Sequence, residues 1–506
     1  MLSLSVFSCA GCSESGGGDG VAAEFSQTEF VFSADGGEQE LTVKTTADLT
    51  LRLDAEWLTV ETSGLQSSTT KKYAISCQPN TGSQSRNTTF SVSAKGGLYE
   101  VLSVSQEGKA QAGGETGGDA IVGMPDDVAA VVKAMGMGWN LGNNLDAHVN
   151  GVANETSWKN KAATQATMDA LRAAGFRTVR IPVTWLGHIG AAPDYTIDAA
   201  WLNRVAEVVG YAEKAGLNAI INIHHDGAES KFWLDIINAA KSEAANNAVK
   251  AQLKAMWTQI ANKFADKGSF LIFETVNEVH DGKWGWGANR TDGGKQYKAL
   301  NEWNQVVVDA IRATGGENAT RWIAVPGYVT NPALTMEHLV IPTDPASKLM
   351  VAVHFYDPNT YTLEAKYNAW GHLSDTKKGD TKETWGDEDN VRSIFSQLNN
   401  KYVSKGVPVY IGEIGCVRRA TDRAEAFRKY YLEYVCKAAK TYGMAPIYWD
   451  NGATGTGNEN SGIMDHGTGE FVNNGADIAA LMVKAMENDD ASYTLESIYN
   501  NTVIGD

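Results

Sequence analysis

At 506 residues the chain exceeds one ordinary hydrophobic core and suits two domains, one of them large enough to be an α/β barrel. Its 43 Lys and Arg stand against 60 Asp and Glu, a formal net charge of -17, which excludes nucleic acid as a partner because polyanion binding needs clustered cations to replace counterions. A neutral polymer fits better: 14 Trp and 18 Tyr supply flat amphipathic rings, although most aromatics of a large domain fill its core.

From the N-terminus, Met1 to Ala10 is apolar and Ser-rich, too short to span a bilayer, and lacks the Lys or Arg that opens a secretory signal peptide. Cys12 follows the small residues Ala10 and Gly11, as in a bacterial lipobox, and Ser13 to Gly20 has the composition of a flexible tether. The expectation is an exported bacterial lipoprotein, at the outer membrane or cell surface, attached to the membrane through a lipid on Cys12, with residues 1–20 as signal remnant and tether. Cys9 occupies the position where a lipobox usually has Leu, so it is a second lipidation candidate, and plain secretion stays open. The five cysteines, Cys9, Cys12, Cys77, Cys416 and Cys436, form no CxxC pair. Cys416 and Cys436 could pair, but buried free thiols are expected, since a chain of this size needs no disulfide framework.

Residues 24–108 alternate apolar and polar residues between turn signals, as in Phe30-Val31-Phe32, Leu41-Thr42-Val43, Tyr73-Ala74-Ile75 and Val101-Leu102-Ser103-Val104. Short strands so spaced predict an all-β, immunoglobulin-like sandwich. Together with Ala55-Glu56-Trp57-Leu58, the Asn80 to Arg86 turn and the closing Val104-Ser105-Gln106-Glu107-Gly108, the segment resembles a BACON domain, a module of carbohydrate-active proteins. The resemblance leaves two roles: a glycan binder with Trp57 as stacking ring, or a spacer in which Trp57 is core, the latter favoured by the burial such residues usually have. Residues 109–119 are Gly-rich and read as a linker.

Over residues 120–490 apolar strand-like runs alternate with amphipathic helices, the signature of parallel βα units. Eight strands are predicted: Met137 to Leu141, Thr178 to Val183, Ala219 to His224, Leu271 to Val276, Arg321 to Pro326, Met350 to Phe355, Val407 to Gly412 and Ala445 to Trp449. Eight is the number of a (β/α)8 TIM barrel. A helix is predicted over Ala199 to Ala215, with Leu202, Val205, Val209 and Ala212 on one stripe and Gly216 as its stop.

In such a barrel chemistry sits where the strands end. That position selects Asn143, Arg180, His224, His225, Asn277, Glu278, His354, Tyr356, Glu413 and Trp449. A hydrogen-bond network that merely seals the barrel mouth would explain any one of them. Two carboxylates at opposite strand ends with Arg, His and Tyr between them point instead to acetal chemistry.

The runs Gly138-Trp139-Asn140-Leu141-Gly142-Asn143, Val179-Arg180-Ile181-Pro182, Asn222-Ile223-His224-His225-Asp226, Thr275-Val276-Asn277-Glu278, Val353-His354-Phe355-Tyr356, Ile411-Gly412-Glu413-Ile414-Gly415 and Tyr448-Trp449-Asp450 resemble, in order, glycoside hydrolase family 5. Glu155-Thr156-Ser157-Trp158 is similar to the branch holding endoglucanases and xyloglucanases. Asn144 replaces a frequent Thr and Val279 a frequent Pro, which touches subsite detail rather than the chemistry.

The resemblance implies a retaining endo-β-1,4-glucanase acting on a β-1,4-glucan such as cellulose, mixed-linkage glucan or xyloglucan, with Glu413 as nucleophile and Glu278 as acid/base. It implies that Asn277 binds the 2-hydroxyl at the cleavage point, that His224 and His354 orient hydroxyls and the two Glu, and that Trp449 is the floor beneath the sugar. His225 is open between direct contact and support. Arg180 and Tyr356 are expected to keep Glu413 ionised, and the charge of Glu413 to raise Glu278 so that it stays protonated. Trp185, Trp233, Trp284 and Trp286 are candidate stacking rings for neighbouring sugars, with loop packing as the alternative. The competing readings are a dedicated xyloglucanase and a non-catalytic surface glycan-binding lipoprotein. No cofactor and no metal is expected, and the chain is expected to act as a monomer.

Overall fold

The computed structural model describes residues 22–53, 55, 57–64, 66–80, 86–95, 98–106, 127–375 and 379–505. Cys9, Cys12, the tether and the linker lie outside them. The chain divides into two compact units, residues 1–118 and 119–506.

The first unit holds eight strands: β1 (Glu24–Phe25), β2 (Glu29–Phe32), β3 (Gly37–Lys44), β4 (Leu49–Leu53), β5 (Leu58–Thr62), β6 (Thr70–Cys77), β7 (Arg86–Ala94) and β8 (Leu98–Gln106). They form two four-stranded sheets, ordered β1-β3-β6-β5 and β2-β8-β7-β4. Alternation does the sorting: Phe30, Leu41, Ile75, Val92 and Leu102 are buried in a common core, while their neighbours in sequence face outward. Trp57 packs on this core with the Arg86 guanidinium 4.4 Å above its ring, so the ring is engaged by the domain itself.

In the second unit β9 (Gly138–Leu141) is followed by a hairpin, β10 (His148–Val149) and β11 (Val152–Ala153). Then come β12 (Thr178–Ile181), β13 (Asn218–Ile221), β14 (Leu271–Glu274), β15 (Ile323–Pro326), β16 (Leu349–Phe355), β17 (Val409–Ile414) and β18 (Met444–Asp450). These seven and β9 close into an eight-stranded parallel barrel. Every strand reads as a continuous apolar run because one face meets the barrel interior and the other the surrounding helices. Inside, Ile220, Ile272, Met350, Tyr410 and Ile447 form a packed layer, closed at one end by Val131 and Met135 of the helix Val128–Met135.

The helix Ala199–Ala215 starts at Asp198, whose carboxylate accepts from the Ala200 amide, and stops at Gly216, where φ is 73°. Its buried stripe runs through Trp201, Val205, Val208, Val209 and Ala212, and Leu202, expected there, lies at the margin. Cys416 and Cys436 are buried free thiols, so the pair does not bridge.

Candidate active site

The site is built around one arginine. Arg180, on β12, is fully buried, and all five of its N–H groups have acceptors. Nε and Nη2 grip both oxygens of Glu274 at 2.8 and 2.7 Å. Nη1 donates to Asn140 Oδ1 at 3.0 Å and to Glu413 Oε1 at 2.9 Å, and Nη2 also reaches Asn277 Oδ1 at 2.8 Å. Only a planar guanidinium fork can serve four partners in these directions.

Glu413 is presented by an irregularity of β17. Val353 of β16 pairs with Ile411, but His354 pairs with Glu413, so Gly412 is an extra residue on β17. A bulge of this kind re-aims the side chain that follows it. Space at Gly412 is tight: a Cβ there would lie 3.0 Å from His354 Nε2 and 3.3 Å from the Tyr410 ring. Glu413 Oε2 then accepts from the Tyr356 hydroxyl at 2.9 Å.

Across the mouth, Glu278 follows β14. Its Oε1 lies 2.7 Å from His354 Nδ1 and 3.3 Å from the Thr330 hydroxyl, and both contacts leave Oε2 open. His354 also stands 3.6 Å from Glu413 Oε2. One oxygen of each glutamate and a His354 nitrogen all lie within 4.8 Å of one another. Two carboxyls so close cannot both hold a full charge cheaply.

Their surroundings differ in a way the sequence did not reveal. Burial raises Glu413 above the ordinary carboxylate range, His354 pulls it back, and the charge of Glu278 raises it further. Burial acts on Glu278 in the same direction, but the charge and hydrogen bond of His354 outweigh it and hold that carboxyl low. In the free site the two directions therefore run opposite to the expectation that Glu278 is the raised group. That expectation counted the neighbouring carboxylate and missed the placement of His354 on Glu278 and the depth of Glu413. Glu278 is also the more open, its side chain 20 % exposed against 7 % for Glu413.

Asn277 turns its amide nitrogen toward His224 Nε2 at 3.3 Å. The His224 ring lies parallel to Trp449, centroids 5.9 Å apart, and edge-on to His225 at 4.4 Å. His225 Nε2 approaches Asp146 Oδ2 at 3.6 Å. Asn143 serves through its backbone: its N–H donates to Asp146 and its carbonyl accepts from Asn160, while Asn140 holds the place on Arg180.

Of the four candidate rings, Trp185 is corrected. It is fully buried, with Nε1 donating to the Asn222 carbonyl at 3.1 Å, and belongs to the core. Trp233 is half-buried and tied to Asp226 at 2.8 Å. Trp284 and Trp286 are 56 % and 81 % exposed on the loop after Glu278, Trp284 against His280 at 4.4 Å and Trp286 beneath the Arg290 guanidinium at 4.7 Å.

The sequence reading passed over Asn140, Glu274, Asn222, Tyr410 and Asp146. Glu274 accepts from Asn222 at 2.9 Å and closely from the Tyr410 hydroxyl, besides Arg180. A carboxylate inside an apolar barrel strand was the signal, because such a charge is retained only with partners. Asp146, His224 and His225 are a second set whose donor atoms lie within 4.8 Å. Their atoms are already engaged: Asp146 accepts from two amides, and both His224 nitrogens face Asn side chains.

The model of the cellulase family, glycosyl hydrolase family 5, matches residues 143–455, and that of the BACON family, described as a putative N-terminal binding domain, matches residues 42–107. Endoglucanase A of Paenibacillus barcinonensis is 38% identical over 344 residues, 65% of this chain and 83% of its own. A xyloglucan-specific endo-beta-1,4-glucanase of Bacteroides ovatus is 33% identical over 511 residues, 95% of this chain and 94% of its own. A broad-specificity endoglucanase from Bacteroides salanitronis has a solved structure 60% identical, with a TM-score of 0.71, covering 75% of this chain and 100% of that one. With the closed barrel, the paired glutamates at its mouth and these likenesses in agreement, the chain belongs to glycosyl hydrolase family 5, behind an N-terminal BACON domain.

Proposed function

We propose that the chain is a retaining endo-β-1,4-glucanase, with Glu413 as nucleophile and Glu278 as acid/base. The observation that carries this is the carboxyl spacing: one oxygen of each glutamate lies within 4.8 Å of an oxygen of the other, on the close side of the two known geometries. Inverting pairs stand about 6.5–9.5 Å apart and retaining pairs about 5–5.5 Å.

In the first step Glu413 attacks the anomeric carbon as the glycosidic bond breaks, and Glu278 gives its proton to the departing oxygen. Glu278, now a carboxylate, then takes a proton from water, which attacks the same carbon and releases Glu413. The proton reaches Glu278 through binding. Its partly exposed side chain loses water when a sugar fills the cleft, and desolvation favours the neutral acid. Oε2, free of other contacts, is the oxygen that carries it. Arg180 and Tyr356 hold the Glu413 oxygens against rotation, and Asn277, its Oδ1 held by Arg180 and one amide N–H facing His224, has its other N–H for the sugar. Glu413→Ala and Glu278→Ala should each lose nearly all release of reducing ends from carboxymethylcellulose and from xyloglucan. Most activity retained by either variant would overturn the assignment, and glucan binding without new reducing ends in the parent chain would favour a pure binding protein.

A second reading, preference for xyloglucan, is supported by the relative matched along 95% of the chain, which is named for that substrate. Parallel rates on xyloglucan, mixed-linkage glucan and cellulose decide it. For place and state, the reading is an exported monomer held by a lipid on Cys12. Among the described residues no helix is long and apolar enough to cross a membrane. Loss of membrane association in Cys12→Ala, with Cys9→Ala unaffected, is the expected result.

A further inference from the structure

Glu274 belongs to no step above, yet both oxygens of its carboxylate are engaged. It is fully buried on β14, and its two oxygens accept four hydrogen bonds, from Arg180 Nε and Nη2, Asn222 Nδ2 and the Tyr410 hydroxyl. Arg180 gives Glu274 a two-pronged grip and gives Glu413 one N–H of Nη1. This buried cation is thus shared unequally between two carboxylates, and the larger share goes to Glu274, which takes no part in the reaction.

We propose that Glu274 is a positioning residue that draws most of the Arg180 charge away from Glu413, so that the nucleophile is oriented by the guanidinium without being neutralised by it. The inference rests on the assignment of Glu413 as nucleophile. An arginine paired with Glu413 alone would also fix its direction, but it would stabilise the resting anion and weaken its attack. Glu274 opposes that by holding the guanidinium in plane and supplying a counter-charge behind it. Asn222 and Tyr410, both donors, in turn keep Glu274 ionised and its carboxylate plane fixed. The groups that face Glu413 are Arg180, His354, Glu278 and Tyr356, and those that face Glu274 are Arg180 and Tyr410, with neutral Asn222. Of the charged groups that face Glu413, Arg180 is the one that also faces Glu274, so removal of the Glu274 charge reaches the nucleophile through Arg180.

The test is Glu274→Gln in the full chain, read by carboxyl NMR titration with carbon-13-labelled glutamate, the Glu413 signal being identified by its loss in Glu413→Gln. This readout needs no turnover, so it decides the role of Glu274 even if the glucanase assignment fails, and hydrolysis of glucan tests that assignment separately. Glu413 in E274Q should titrate about one pH unit lower than in the parent, a tenfold loss of proton affinity. Glu274→Asp, which keeps the charge, should move it part of the way back. A Glu413 midpoint unchanged in E274Q would overturn the proposal and leave Glu274 a structural filler. Should E274Q fail to fold, Tyr410→Phe serves instead. It strips a donor from Glu274 and leaves Arg180 in place, so Glu413 should titrate a few tenths of a unit higher, and no movement would overturn the proposal equally.

Discussion

At the scale of single residues the site is a problem of sharing charge. Three carboxylates, Glu274, Glu278 and Glu413, surround one arginine and one histidine, and position decides which of them reacts. Glu413 is raised by burial and Glu278 held low by His354 in the free site, so the two are shifted apart there. A bound sugar removes water from Glu278 and raises it. The basic limb of kcat against pH, which reports the complex, should therefore lie at higher pH than that of kcat/KM, which reports the free enzyme. The sign follows from the acid: activity is lost as pH rises through the value for Glu278, and binding raises that value. Superimposable profiles would contradict this. Glu278 and Tyr356 were legible because each follows an apolar strand, His354 and Glu413 because each lies near the end of one, and Arg180 through the run Val179-Arg180-Ile181-Pro182. Glu274 was not, because the expected strand ran on to Val276, past the observed end of β14 at Glu274, and Asn140 was passed over for Asn143, three residues nearer the loop. The directions of the Glu shifts were out of reach, since they depend on which carboxyl His354 touches.

At the scale of elements, strand ends and loops differ in how well a sequence speaks for them. All eight barrel strands lie within a few residues of their expected bounds, because continuous apolar runs between helices have few other folds open to them. The bulge at Gly412 has no such signature, yet it aims Glu413. Gly412→Ala places a Cβ against His354 Nε2 and should lower kcat by about ten- to a hundredfold, roughly 1.4–2.7 kcal/mol of barrier, with the melting temperature little changed. Unaltered kcat would show that the position tolerates a side chain. Loop aromatics were the weakest part of the reading: Trp185 proved to be core, and Trp385, 48 % exposed, went unnoticed. Trp284 and Trp286 stand exposed on the loop that follows Glu278, the proposed acid/base. Trp284→Ala with Trp286→Ala should raise KM for long glucans by about tenfold, the stacking of one or two rings being worth roughly 1–1.5 kcal/mol, and leave hydrolysis of an aryl cellobioside nearly unchanged. An equal loss on both substrates would place the rings outside the substrate path.

At the scale of the whole molecule, two units with separate cores divide the work. The sandwich buries its own apolar faces, with Trp57 packed and covered by Arg86, while the barrel carries every group of the reaction. An acidic chain with a neutral polymer as substrate needs no electrostatic capture, and its specificity rests on shape and hydrogen bonds at the mouth of the barrel. The barrel and the sandwich were both legible from periodicity, since each fold demands its own repeat of apolar residues. The central claim, double displacement through Glu413, is tested most directly by proton NMR of the anomeric centre during cleavage of a cello-oligosaccharide. Newly formed reducing ends should appear first as the β anomer and only later equilibrate toward α. Initial release of the α anomer would contradict the account.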